Sequence, residues 1–171
     1  MRVIAVTAGQ ADDIEWAVRQ AEAAWGELAL RSPVFAFDQT RFYEPEMGPN
    51  LSKQLFAFGH LMDPAELAAA KLLANDWERE AAAEFSRGVA RPVNVDPGYL
   101  TEAKLVLAST KDRDHRIYLG QGIYGEVTLY FHDRQWRGSR WTYPDYQQLA
   151  FVDFFTQVRE LLRRRLAEAT G

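Results

Sequence analysis

Chemistry-bearing side chains crowd into one stretch of this chain, from Arg91 to Glu126, where acids, bases and a histidine alternate with glycines and tyrosines. Lys111 and Arg116 fit a phosphate or a carboxylate, the guanidinium as a planar bidentate clamp and the ammonium as a point charge. His115 belongs to the residue type that titrates closest to neutrality, which suits a general acid or base. Glu126 falls mid-strand beside Tyr124 and Thr128, where a carboxylate invites a cation such as Lys104 or Arg116. The candidate catalytic groups are therefore His115 and Glu126. The candidate ligand contacts are Asp96, Tyr99, Lys104, Lys111, Arg116 and Tyr124. No motif fixes a cofactor, a nucleophile or a metal.

Each group also has a plainer reading. The segment around Lys111 and Arg116 reads equally as a solvated turn whose charges pair with Asp112 and Asp114. Asp96 precedes Pro97-Gly98, as turn aspartates do, and Glu126 fits a structural ion pair. Asp38, Glu44 and Glu46 offer oxygen ligands for magnesium or calcium, but they lack the alternating spacing of a calcium-binding loop, so no metal ligand is assigned.

The elements that position these groups follow from periodicity. VIAVTA after Arg2 is a buried strand. Ile14, Ala17, Val18, Ala21 and Trp25 recur at helical spacing over residues 11–25. The Thr7-Ala8-Gly9-Gln10 junction lacks the glycine spacing of a phosphate loop. Leu28 to Asp38 and Leu51 to Gly59 read as strands. Between them Pro45, Gly48 and Pro49 forbid regular structure. Asp63-Pro64 starts a long alanine-rich helix ending near Ser86, and Pro92 to Val95 is a fourth strand. Thr101 caps a short helix over residues 102–109, with an extended LVLAST as the rival reading. HRIYLG and IYGEVTLYF make a hairpin through Gly120-Gln121-Gly122. In its second strand Ile123, Gly125, Val127, Leu129 and Phe131 share one face, and Tyr124, Glu126, Thr128 and Tyr130 the other. A further strand runs from Trp136 to Trp141, and a helix over residues 146–168 follows. The Arg163-Arg164-Arg165 run reads as its cationic last turn.

This order is α+β: a ferredoxin-like split βαβ sandwich in the N-terminal part, extended by a C-terminal β-meander and a final helix, as one domain over residues 1–171. At 171 residues and 47% hydrophobic, the chain can bury such a core without disulfides. The absence of cysteine removes disulfide, thiolate-zinc and cysteine-nucleophile chemistry and fits a cytoplasmic protein. The first residues resemble neither a secretory signal nor a membrane anchor. A net charge of -4 argues against duplex DNA as a partner. Between Lys104 and Arg116 four basic side chains face two acids, a balance suited to a small anion.

The blocks FDQTRFYEPEMG, RPVNVDPGYLTEAKLVLASTKDRDHRIYLGQGIYGEVTL and WTYPDY, in that order and spacing, resemble the prokaryotic domain-of-unknown-function family 4416. The resemblance spans nearly the whole chain and implies a single-domain protein with no assigned activity. Its motif falls on Asp38, Tyr43, Glu44, Asp96, Lys111, His115, Arg116, Glu126, Trp141, Tyr143 and Asp145, among others. Arg113 stands where an aromatic residue is expected, altering one wall of the pocket, and Gly125 where alanine is expected.

Two function classes follow. One is a binder of, or enzyme acting on, a small anionic, phosphate-bearing ligand held by the Lys/His/Arg/Glu cluster. The other is a module for RNA or a protein partner, using Trp141, Tyr143 and Tyr146 as a stacking platform, although the aromatic-glycine pattern diagnostic of RNA-binding strands is missing. The oligomeric state is not readable. In the first class Arg116→Ala is expected to abolish anion binding while changing stability by no more than about 1 kcal/mol, as surface substitutions do.

Overall fold

The computed structural model describes residues 1–38 and 43–170. Strand β1 (Arg2–Ala8) is buried along its whole length. Helix α1 (Ala11–Trp25) turns Ile14, Ala17, Val18 and Ala21 inward and stops at Gly26, whose φ of 90° suits glycine. The expected second strand divides into β2 (Leu28–Arg31) and β3 (Phe35–Ala36). The break falls at Ser32-Pro33, where the Ser32 hydroxyl accepts the Leu55 N–H and donates to the Pro33 carbonyl. A short helix α2 (Glu44–Met47) occupies part of the segment expected to be irregular. Pro45 fits there because the first helical turn needs no N–H from it.

Strand β4 (Ser52–Phe58) leads to Asp63, whose carboxylate accepts the Ala65 N–H and starts a 3₁₀ turn over Pro64–Glu66. Helix α3 (Leu67–Glu84) follows, and then β5 (Val93–Leu100), which runs straight through Asp96-Pro97-Gly98 instead of turning. The short helix over residues 102–109 does not form. That segment is strand β6 (Lys104–Ser109). Leu105 and Leu107 enter one core and Val106 and Ala108 another, so its continuous apolar run is buried on both faces, as an interior strand requires.

Strands β7 (Ile117–Gly120), β8 (Ile123–His132) and β9 (Gln135–Gly138) complete the meander. A 3₁₀ turn over Pro144–Gln147 precedes helix α4 (Leu149–Thr170). The arginine run therefore lies before the last turn of α4, where Arg163 pairs with Glu102 and Arg165 with Glu168.

Among the described residues nine strands form one antiparallel sheet in the order β2-β4-β1-β5-β6-β8-β7, with β3 also on β4 and β9 also on β8. β1 is interior, so neither an edge position for the first strand nor parallel pairing speaks against the split βαβ plan. Alternate residues of β1 feed two cores. Ile4 and Val6 meet Ile14, Val18 and Trp77 of α1 and α3, while Val3 and Ala5 share the other core with Phe151, Phe155 and Val158 of α4.

Two irregularities shape the sheet. Opposite Leu105 and Val106, β8 carries one extra residue, because Leu105 faces Leu129 while Val106 faces Val127. This bulge at Thr128 puts Leu129 on the α4 face with Glu126, correcting the unbroken alternation expected along β8. In addition, β5 and β6 pair only over Gly98–Leu100 against Leu107–Leu105, and the rest of β5 pairs with β1 alone. Gly98 makes that short contact possible, since a Cβ there would lie 2.5 Å from the Val106 carbonyl oxygen and 2.6 Å from Leu107.

Candidate functional site

Where β5 and β6 part, a cavity of about 140 Å³ opens between them. Helix α3 supplies one wall through Lys71, Asn75 and Glu78, spaced i, i+4, i+7 and so on one face. Lys53 of β4 and Asn94 and Asp96 of β5 also line it, together with Lys111, Arg116 and Glu126 and with Tyr43, Tyr143 and Asp145.

The parted edge of β5 needs partners, because buried backbone groups are costly to leave unpaired. Side chains provide them. Val95 donates its N–H to Glu78 Oε1 at 2.8 Å, and its carbonyl accepts from Lys71 Nζ at 2.7 Å. Lys71 also donates to Asp96 at 3.1 Å and reaches Glu78 at 3.5 Å. Asn94 Nδ2 donates to the second Asp96 oxygen at 2.7 Å, and Arg91 Nη1 donates to Asn94 Oδ1 at 3.0 Å. Arg91 lies 3.7 Å from Glu78, which closes a ring of five side chains.

Within that ring the two acids are driven apart. Burial pushes Glu78 up, only partly offset by Lys71, the Val95 N–H and Arg91. Burial opposes charge on Asp96 too, yet Lys71, Lys53 and the Asn94 amide outweigh it and hold Asp96 below the usual carboxylate range. Nearby, Lys53 and Asp145 form a buried pair at 2.5 Å, with the ammonium over the rings of Phe37 and Tyr146.

Arg116 donates Nε–H to Glu126 Oε2 at 2.7 Å, and both side chains are buried. Arg116 Nη1 also donates to Ser109 Oγ and the Lys111 carbonyl. His115 Nε2 lies 3.1 Å from the same Glu126 oxygen, and its Nδ1 lies 3.1 Å from Asp114. Both ring nitrogens thus face carboxylates, and the ring stacks on Trp141 at 5.1 Å. His115 does not line the cavity; it stands behind Glu126 and fixes it.

Of the residues singled out from the sequence, Asp96, Lys111, Arg116 and Glu126 meet at the cavity, while Lys104, Tyr99 and Tyr124 lie outside its lining. Lys104 and Tyr99 share the α3 face of the sheet but lie toward its paired end, away from the parted strands, because β6 is a strand in which Lys104 alternates with Leu105, and Tyr99, opposite Val106, packs near Leu67 and Ala68. Tyr124 leans on Tyr118 at the sheet edge. Arg113 is not part of the lining, although its carbonyl accepts the Arg116 N–H. Glu46 pairs with Arg91 at 3.0 Å. Among the described residues no group of three or more His, Asp or Glu is placed to hold a metal ion.

The sequence reading gave no site role to Lys53, Lys71, Asn75, Glu78, Arg91 and Asn94, and named Asp145 only as part of the family motif. One signal was present: three polar residues at helical spacing along an alanine-rich helix otherwise read by its apolar face. The stacking platform is also differently disposed. Tyr146 is buried against Phe155, and the Trp141 ring already carries His115 and Arg140.

Fold and site together define an α+β protein whose antiparallel sheet is parted to enclose a densely charged cavity. The model of a domain of unknown function (DUF4416) matches residues 1–162, and the chain belongs to that family. No curated protein and no solved structure matches it. Among the described residues no helix is long and apolar enough to cross a membrane.

Proposed function

We propose that the cavity binds a small anionic ligand through a phosphate group held by Arg91, Lys111 and Arg116, with Glu126 holding Arg116 and Glu46 and Glu78 flanking Arg91. The observation that carries this reading is the crowding of like charge on one side of the cavity. Arg91 and Lys111 both lie against the Tyr43 ring, at 5.3 and 5.9 Å. Burial draws the Lys111 amine below the ordinary lysine range, and Arg91 and Arg116 draw it further, against weaker support from Glu46 and Asp96. A dianion between these groups reverses that penalty and makes charge-assisted hydrogen bonds. Arg91 Nε, buried and without a hydrogen-bond partner among the described residues, is a donor available nearby.

The test is a thermal-shift titration with inorganic phosphate. Ligand at about 100 times its Kd stabilises the native state by about 2.7 kcal/mol, so the melting temperature rises with concentration. Lys111→Ala, at an exposed position, should melt like the wild type without phosphate and lose the rise with it. Because the anion favours protonated Lys111, affinity is full below the lowered lysine pKa and falls as pH rises through it. An unchanged wild-type melting temperature at saturating phosphate rejects the proposal.

A further inference from the structure

We infer that the ligand is a phosphorylated polyol of the sugar-phosphate class and not a nucleotide, an inference that rests on the anion site proposed above. Three of the four rings that line the cavity are already engaged. Phe37 carries the Lys53 ammonium at 4.2 Å, and Tyr43 carries Arg91 and Lys111. Tyr146 is 3% exposed and stacked on Phe155. Tyr143 is half-exposed. A nucleobase would have to displace Lys53 to stack on Phe37, or Arg91 and Lys111 of the anion site to stack on Tyr43, giving up a cation–π contact in either case.

The capacity left over is hydrogen bonding. The Asn75 amide, one turn from Lys71, has no hydrogen-bond partner among the described residues, so it offers both donors and acceptor to the cavity. The Thr110 hydroxyl on the lining is in the same position. Ser109 Oγ accepts from Arg116 Nη1 and from the Lys111 N–H, which leaves its own hydrogen to donate. Each Asp96 oxygen takes one donor, from Lys71 or Asn94, and retains a second lone pair. Closely spaced groups that both give and accept hydrogen bonds match vicinal hydroxyls, each of which does the same. The ligand is thus placed with its phosphate against Lys111, Arg91 and Arg116 and its hydroxyls against Asn75, Asp96 and the β6 end.

Isothermal titration of the full chain with inorganic phosphate, ribose phosphate, adenosine monophosphate and free ribose tests this. Ribose phosphate should bind about tenfold tighter than inorganic phosphate, the gain expected of one or two well-made hydrogen bonds. Adenosine monophosphate should bind no tighter than ribose phosphate. Asn75→Leu should bring ribose phosphate back to the affinity of inorganic phosphate and leave the latter unchanged. Thr110→Val, at an exposed position, should lower ribose phosphate affinity in the same selective way if Asn75→Leu does not fold. Equal affinities for phosphate and ribose phosphate, tighter binding of the nucleotide, or a variant that weakens phosphate and ribose phosphate alike would overturn the inference while leaving the anion site standing. No binding of phosphate in any form would remove both.

Discussion

Glu126 is a carboxylate held in the interior by two partners, Arg116 and His115, on one oxygen, and that geometry decides what its neighbours can be asked. With the side chains of Arg116 and Glu126 each 6% exposed, removing the guanidinium leaves a charge in low-dielectric surroundings with His115 as its remaining partner. Breaking a buried pair costs about 3–5 kcal/mol, far above the roughly 1 kcal/mol of a surface change. Arg116→Ala is therefore expected to lower the urea midpoint substantially, and its loss of anion binding would be ambiguous. Arg116→Ala combined with Glu126→Ala should be more stable than Arg116→Ala alone, since the orphaned charge leaves with its partner. A double variant no more stable than the single one would mean that His115 alone satisfies Glu126. Lys111→Ala, at an exposed position, is the cleaner probe of the ligand.

At the scale of elements, the short contact between β5 and β6 is the feature that permits a cavity at all. The strands must touch at Gly98 to remain one sheet and part beyond it to make room. Gly98→Ala forces a methyl group into the Val106 carbonyl, and overpacking of this kind costs about 1–3 kcal/mol. Denaturant unfolding should show that loss, together with weaker phosphate affinity as the strands separate. An unchanged midpoint would mean that the strands shift freely.

The elements were legible in proportion to how one-sided their burial is. The α1 pattern of Ile14, Ala17, Val18 and Ala21 marked one buried face. The run from Leu105 to Ala108 did not, because two-sided burial erases the alternation that separates strand from helix. The bulge at Thr128 has no counterpart in composition, so the face assigned to Leu129 was wrong from the bulge onward. Of the cavity, the charges clustered between Asp96 and Glu126 could be read, but the half supplied by Lys53, Lys71 and Glu78 could not. Those residues lie far apart in the chain, on elements read for their apolar positions, and only sheet order joins them.

For the molecule as a whole, Asp96 and Glu78 impose opposite pH dependences on stability. Asp96 is held below its unfolded value of about 3.9, so its contribution is present above that pH and is lost as pH falls through the lower native value. Glu78 is pushed above its unfolded value of about 4.3, so the stability linked to its neutral form is present below that pH and is lost as pH rises through the native value. Asp96→Asn should consequently lose most stability, relative to wild type, near neutrality, and the gap should narrow on acidification. Glu78→Gln should behave in reverse, with a relative gain as pH rises. Denaturant midpoints between about pH 3 and pH 7 check both signs. Parallel curves for wild type and either variant would contradict the assignment of that group.

Val95 gives the parted sheet an internal clock. Amides laced into β1 exchange their hydrogens for solvent deuterium only when the sheet opens. The Val95 amide is different, because a carboxylate at 2.8 Å shields it, not a neighbouring strand. It is released each time Glu78 turns away, while the hydrogens on either side stay locked. One backbone position thus signals, in the rate of its exchange, how firmly Glu78 is held against the parted edge of β5.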